Sequence, residues 1–325
     1  MTALFWNEQK TRGHKPRLQK SMNVMKSALL PVVIAGMTVA SALAQQNQPL
    51  VGENTTKISD HVWAIMGFPN IAIVAGERAT LVVDTGMGPK NGATAARVAA
   101  KLAPNNQKLF LTTTHFHPEH AAGEPGFPAG TVLIRNLVQQ QDMEKHGAEV
   151  MDRFRNNSAQ NRELLDGVVL RAPDVVFDSE ARVDLGGVQV RLLWFGEAHT
   201  KGDELIFVEP DRTLISGDVV QNKTMPNIAD DGGTPSSRLS VLDKIEALKA
   251  AHILPDHSTP GDGSMVAAER NLIIEIRTRA LALKRQGVSL DEAGRQVSAD
   301  LKTAHPDWPN TNAAGFVRAV FAEAQ

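Results

Sequence analysis

Residues 114–120 read THFHPEH, and this stretch is the most informative of the chain because three histidines and a carboxylate fall within six residues. The apolar segment 108–113 before it predicts a β-strand. Alternate residues of an extended segment point to the same side, so His115 and His117 can converge on one point. Glu119 follows with one further histidine on the next turn, where both can face a second point. Because the chain holds only ten histidines, a solvated polar loop is the weaker interpretation.

The available side chains restrict the kind of site that this stretch can form. Imidazole and carboxylate groups are ligands of zinc, and also of iron or manganese. The chain contains no cysteine, which excludes disulfides and thiolate ligands. It also contains no tyrosine, which removes one common oxyanion donor and general acid. Any metal must therefore be held by histidines and carboxylates.

Further polar segments follow predicted strands elsewhere in the chain. An early strand, 80–83, ends at Asp84. Layered α/β folds place their sites in loops at strand ends, so these segments are candidates for one common site. The other three segments are 196–203 (GEAHTKGD), 216–218 (SGD) and 254–257 (LPDH), which contribute His199, Asp218 and His257.

Strand and helix signals alternate along the chain, which favours an α/β fold class. Two β-rich halves, 62–113 and 181–216, are separated by a polar stretch at 136–166 that we interpret as a helical insertion. With helices outside both halves, the pattern predicts one four-layer domain. We place this core at residues 45–262, and we expect the C-terminal helices of 263–325 to pack on the same domain.

Taken together, these motifs resemble the metallo-β-lactamase superfamily, whose fold is a four-layer αβ/βα sandwich. The family pattern is a strand-end Asp, an HxHxDH stretch, a GHTxGD-like loop, a second strand-end Asp and a late His. In this chain the corresponding positions are Asp84, residues 115–120, residues 199–203, Asp218 and His257, in the same order.

The resemblance implies a site for two metal ions, with zinc as the expected metal and iron or manganese as alternatives. Each ion has its own ligand set, and one carboxylate, Asp218, bridges the two. The first ion would be held by His115, His117 and His199, and the second by Glu119, His120 and His257.

Other roles follow from the same resemblance. Asp84 would fix the histidine stretch by hydrogen bonds, and Asp203 would support its own loop. Glu119 stands where the family has Asp and is one methylene longer, so we expect it to weaken or reposition the second metal. Glu119 and Asp218 are the candidate catalytic carboxylates. Asp256 adjoins a predicted ligand, and we interpret it as a turn or capping residue.

The expected activity is hydrolysis of a carbonyl substrate, namely an ester, lactone or thioester, by a hydroxide that bridges the two metals. Hydrolysis of a β-lactam is the alternative, although true β-lactamases of this fold lack the bridging Asp. A mononuclear iron sulfur dioxygenase and a metal-dependent phosphodiesterase are further alternatives. Phe68, in the connection 67–70, is a candidate substrate contact, unless it folds back onto the core.

The net charge and the distribution of basic residues limit the kind of partner that the chain can bind. The 325 residues carry a formal net charge of −2, and no basic run follows residue 26. A nucleic-acid partner therefore lacks its usual electrostatic footprint. We expect a small-molecule substrate, and the sequence does not indicate an oligomeric state.

The N-terminus is typical of an export signal. An apolar run at 28–40 follows Lys20 and Lys26 and ends in ALA at 42–44. The run is too short to favour a transmembrane helix, so we expect no membrane attachment after cleavage. We predict a signal peptide at 1–44 and a periplasmic or secreted protein; a start at Met22 or Met25 would make residues 1–21 an artefact of gene calling.

Signal cleavage predicts a mature chain that begins near Gln45. Residues 1–44 contain six Lys/Arg and one Glu, so their removal changes the formal net charge from −2 to −7. Mass spectrometry of the protein from its native periplasm measures the mature N-terminus. An intact N-terminus on soluble cytoplasmic protein would contradict export.

Overall fold

A computed structural model describes residues 50–103, 105, 108–228 and 232–324. The predicted signal peptide at 1–44 lies outside these described residues. Within them, no helix combines the length and the apolarity that crossing a membrane requires. The described residues belong to one compact unit.

The first sheet contains seven strands that lie side by side in sequence order. Its first four strands pair antiparallel, and the pairs from the fourth to the seventh strand are parallel. The strands are β1 (Thr56–Lys57), β2 (Val62–Ile65), β3 (Ile71–Ala75), β4 (Ala79–Val83), β5 (Lys108–Thr112), β6 (Val132–Asn136) and β7 (Val175–Phe177).

The second sheet contains six strands in the order β13-β12-β11-β10-β9-β8. Its pairs are antiparallel except β11 with β12, which run parallel. The strands are β8 (Glu180–Asp184), β9 (Gln189–Leu193), β10 (Leu205–Val208), β11 (Thr213–Gly217), β12 (His252–Pro255) and β13 (Gly261–Asp262).

Helices cover the outer faces of both sheets. A 3-10 turn at Glu124–Gly126 follows the second helix. The helices are α1 (Pro89–Leu102), α2 (Pro118–Ala121), α3 (Leu137–Asn157), α4 (Ala159–Leu164), α5 (Pro235–Glu246), α6 (Ser264–Arg285), α7 (Leu290–Ala304) and α8 (Ala314–Glu323).

The layers follow from the alternation of side chains along the central strands. In β3, Ile71 and Ile73 pack with the apolar face of α1, whereas Ala72 and Val74 pack between the two sheets. In β10, Ile206 lies in the same inter-sheet core. The opposite face of the second sheet packs on α5 to α8. This arrangement confirms the predicted αβ/βα sandwich and its helical C-terminal part.

Some elements differ from the sequence-based expectation. The insertion at 136–166 is helical as predicted, and it forms α3 and α4. Helix α5 begins at Pro235, directly after Thr234, which forms a reciprocal capping box with Ser237. Strands β1, β6, β7 and β13 are short or irregularly patterned, and the sequence did not indicate them.

Candidate metal centre

All predicted ligands lie where strands end at one edge of the sandwich. β4 and β5 are parallel neighbours, so Asp84 and the stretch beginning at Thr114 leave the first sheet side by side. β11 and β12 are also parallel neighbours, which places Asp218 beside His257. β9 is antiparallel to β10, and β10 is antiparallel to β11, so the loop with His199 leaves the second sheet at the same edge.

Three buried histidines form the first group. Nε2 of His115 lies 3.0 Å from Nδ1 of His117, and Nε2 of His199 lies 3.4 Å from the same Nδ1. Burial, reinforced by the charges of neighbouring histidines, holds the pKa of His115 and of His117 well below its usual value. The lowered pKa favours the neutral imidazole, which is the form in which histidine binds a metal.

The second group contains Glu119, His120 and His257, whose ligand atoms lie within 4.8 Å of one another. Helix α2 begins directly after His117 and carries Glu119 and His120 in its single turn. Oε1 of Glu119 lies 4.0 Å from Nε2 of His120. The additional methylene of Glu119 therefore does not take its carboxylate out of the group. Burial raises the pKa of Glu119 to about 7.

Asp218 lies between the two groups. Its Oδ1 is 3.2 Å from Nε2 of His257, and its Oδ2 is 3.4 Å from Nε2 of His199. Burial opposes its ionisation, but the charges of His257 and then His199 outweigh burial and hold the pKa of Asp218 well below its ordinary range. One carboxylate thus offers one oxygen to each histidine group.

The hydrogen bonds of the described residues leave this cluster incompletely satisfied. Oε2 of Glu119 and Nε2 of His120 are buried and have no hydrogen-bond partner among those residues. Buried polar atoms are normally paired, so such a concentration of orphaned atoms indicates a missing positive partner. Nitrogen and carboxylate donors at this spacing fit divalent metal ions.

Two carboxylates hold the other side of His120. Oδ1 of Asp84 accepts the Thr114 backbone N–H at 2.7 Å, and its Oδ2 lies 3.1 Å from Nδ1 of His120. Asp256 does the same from the second sheet: its Oδ2 lies 3.3 Å from that Nδ1 and accepts the Thr114 hydroxyl at 2.9 Å. Such contacts fix the ring so that Nε2 faces the centre.

The interpretation of Asp256 as a turn or capping residue is therefore incomplete, because its side chain is fully buried against His120. The only sequence signal for this contact is its position next to His257. Asp84 occupies the place expected of it, with a left-handed φ of 67° directly after β4.

The loop of His199 is held at two points. Both carboxylate oxygens of Asp203 accept the Thr200 backbone N–H at 3.0 Å, and the Thr200 hydroxyl donates to Oδ1 at 2.6 Å. The Asn227 carbonyl lies 3.1 Å from Nδ1 of His199 and orients the ring. The support expected from Asp203 matches this geometry, whereas the contact with Asn227 had no signal in the sequence.

A cavity of about 570 Å³ opens over the predicted ligands. The Phe68 ring lies on its wall, with its centroid 3.8 Å from that of His257, and is half-buried there rather than folded into the core. Helix α3 contributes Arg153 and Phe154, and the segment before and within α8 contributes Asn312 and Phe316. The cavity therefore combines the β2–β3 connection, the helical insertion and the C-terminal region.

Comparisons with known proteins agree with this fold. The sequence profile of the metallo-beta-lactamase superfamily matches residues 64–257. A linear primary-alkylsulfatase from Pseudomonas sp. is 24% identical over 253 residues, which cover 67% of this chain and 47% of that protein.

Two solved structures share the fold. A metallo-beta-lactamase from Pontibacter korlensis has a TM-score of 0.55 and 19% identity, and the match covers 68% of this chain and 98% of that one. A stereoselective inverting sec-alkylsulfatase from Pseudomonas sp. has a TM-score of 0.64 and 15% identity over 87% of this chain and 52% of that one. The chain spans about half the length of the alkylsulfatases it matches.

The family match covers more than half of the 325-residue chain and contains every predicted metal ligand. It also confirms the family that the five motifs indicated. The chain therefore belongs to the metallo-beta-lactamase superfamily.

Proposed function

We propose that the chain is a dinuclear zinc hydrolase that cleaves a carbonyl ester, lactone or thioester. The observation that carries this proposal is the position of Asp218, whose two oxygens face His257 and His199 separately. A carboxylate shared in this way is the ligand that a pair of neighbouring metal ions needs. Zinc fits best because the remaining donors are mainly imidazoles.

When bound, two divalent ions lower the pKa of water toward neutrality and stabilise negative charge on the substrate oxygen. The chain's own residues set the charge of the centre. Glu119 and Asp218 supply two negative charges, which offset about half of the four positive charges of two divalent ions. Histidines bind a metal in their neutral form and so add no charge. The centre is thus left positive, and it favours a substrate that develops negative charge.

The cavity limits the size and character of the substrate. Its volume suits a small molecule. Phe68, Phe154 and Phe316 give it apolar wall area, and Arg153 places a cation on the same wall. An ester with an apolar part and a negatively charged part matches this lining.

A sulfate ester is the second candidate substrate. Two relatives carry the name alkylsulfatase, and an alkyl sulfate combines the apolar and anionic parts that the cavity lining favours. We also propose that the enzyme acts outside the cytoplasm, on the basis of the apolar run at 28–40 and the ALA sequence at 42–44.

A hydrolysis panel on purified, zinc-loaded protein tests the function. The panel pairs alkyl or aryl esters, lactones and thioesters with alkyl sulfates of matched chain length, and it includes a cephalosporin and a phosphodiester. We expect turnover of the carbonyl compounds, and loss of that turnover in Asp218→Ala. Turnover of the sulfates alone would transfer the assignment to the second candidate. No turnover of any compound by zinc-loaded protein would overturn the proposal.

Metal content tests the two ligand groups separately. Elemental analysis should find about two zinc ions per chain in the wild type and about one in Glu119→Ala, because that variant removes a ligand of the second group only. Glu119→Asp restores the family's usual residue and should keep both ions and the activity. Two retained ions with full turnover in Glu119→Ala would show that Glu119 is not a ligand.

Phe68→Ala tests the aromatic wall. Apolar contact forms equally in the ground and transition states, so its loss should act on KM and leave kcat nearly unchanged. A loss of about 1 kcal/mol of apolar contact corresponds to a roughly fivefold increase in KM for bulky apolar substrates. Phe110→Ala, a partly buried aromatic of β5 outside the cavity, is the control. An unchanged KM together with a large drop in thermal stability would assign Phe68 to the core.

A further inference from the structure

Helix α5 carries a charged side chain, Arg238, that is completely buried. Its Nη2 donates to the backbone carbonyls of Asp218 and Val219, both at 2.9 Å, and to Oε1 of Glu269 at 2.7 Å. Its Nη1 donates to the carbonyl of Asn227. One guanidinium group thus joins α5, α6 and two loops of the metal centre.

Two of the backbone carbonyls that Arg238 contacts belong to the metal centre. One belongs to Asp218, the residue that lies between the two ligand groups. Another belongs to Asn227, whose oxygen also contacts Nδ1 of His199 at 3.1 Å. The guanidinium therefore holds the backbone of one predicted ligand and the residue that orients a second.

Glu269 of α6 provides a second connection to the same carboxylate. It accepts a hydrogen bond from Arg238; burial, the larger effect, raises the pKa of its carboxyl, and the nearby Gln221 backbone lowers that pKa. The Gln221 side chain donates to Oδ1 of Asp218 at 3.0 Å. The main chain and the side chain of Asp218 are thus each tied to this buried pair.

An arginine–carboxylate pair without solvent contributes little net stability, because the desolvation of two charges offsets their attraction. Replacement by well-packed apolar side chains is often neutral or stabilising. Stability alone therefore does not explain why a charged pair lies here, whereas the precise placement of ligand loops does.

We propose that Arg238 and Glu269 form a positioning pair that fixes Asp218 and His199 in the arrangement that binds metal, and that metal occupancy thereby depends on the docking of α5 and α6. The inference rests on the proposed function, which assigns Asp218 and His199 as ligands. It adds that residues of the helical layer, outside the cavity, determine the zinc affinity.

The test compares zinc affinity with stability in the same variants. Arg238→Met should lower both the zinc affinity and the stability, because it leaves Glu269 buried without its partner. The double variant R238M/E269L should recover the unfolding midpoint, while its zinc affinity, measured by competition with a chromophoric chelator, stays about 10- to 100-fold below that of the wild type. Glu269→Gln keeps an acceptor oxygen for Arg238, and its zinc affinity should stay within a few-fold of the wild-type value.

A second buried pair supplies the matched control. Arg135 and Glu124 form an equally buried ion pair, and the other hydrogen bond of Arg135 goes to Gln140. The double variant R135M/E124L should leave zinc affinity unchanged. The absorption spectrum of cobalt-substituted protein, which reports ligand geometry, should change in R238M/E269L and not in this control.

Each opposite result has a definite meaning. Wild-type zinc affinity in R238M/E269L would reduce the pair to a structural role and overturn the inference. An equal loss of affinity in R135M/E124L would overturn it too, since any buried charge would then have the same effect. Wild-type protein that binds no zinc would instead overturn the proposed function, and the positioning pair with it.

Discussion

The structure depends on one electrostatic constraint: imidazoles and carboxylates converge in a buried space where their own hydrogen bonds do not satisfy every polar atom. Nε2 of His115 and Nε2 of His199 lie 3.0 and 3.4 Å from Nδ1 of His117. Without a positive partner, such an arrangement costs free energy for every orphaned atom. Asp84 and Asp256 hold the ring of His120 from its far side, and the Asn227 carbonyl does so for His199.

The sequence predicted the features that depend on local pattern. Alternating apolar strands, the THFHPEH stretch and the later polar loops were sufficient for the α/β sandwich and for the residues that meet at its edge. These are short-range signals. Parallel pairing of β4 with β5 and of β11 with β12 then brings the strand ends together.

The remaining features come from contacts between distant parts of the chain. Asp256 reaches His120 only because the two sheets meet, and Asn227 reaches His199 from an irregular loop. Arg238 sits in a helix whose other buried residues are mainly apolar, and nothing in its neighbourhood indicates that three backbone carbonyls surround it. Tertiary contact decides these roles, and one sequence has no periodicity that encodes them.

The distribution of the predicted ligands over the two sheets has a thermodynamic consequence. Each group takes members from both sheets: His115 and His117 meet His199, and Glu119 and His120 meet His257. A cation bound by either group would link the two sheets, whereas the unfolded chain has no preformed metal site. By mass action, free metal at about a thousand times its dissociation constant adds about 4 kcal/mol to the unfolding free energy. The concentration of free metal around the protein would therefore affect its resistance to unfolding as well as the hydrolysis that we propose.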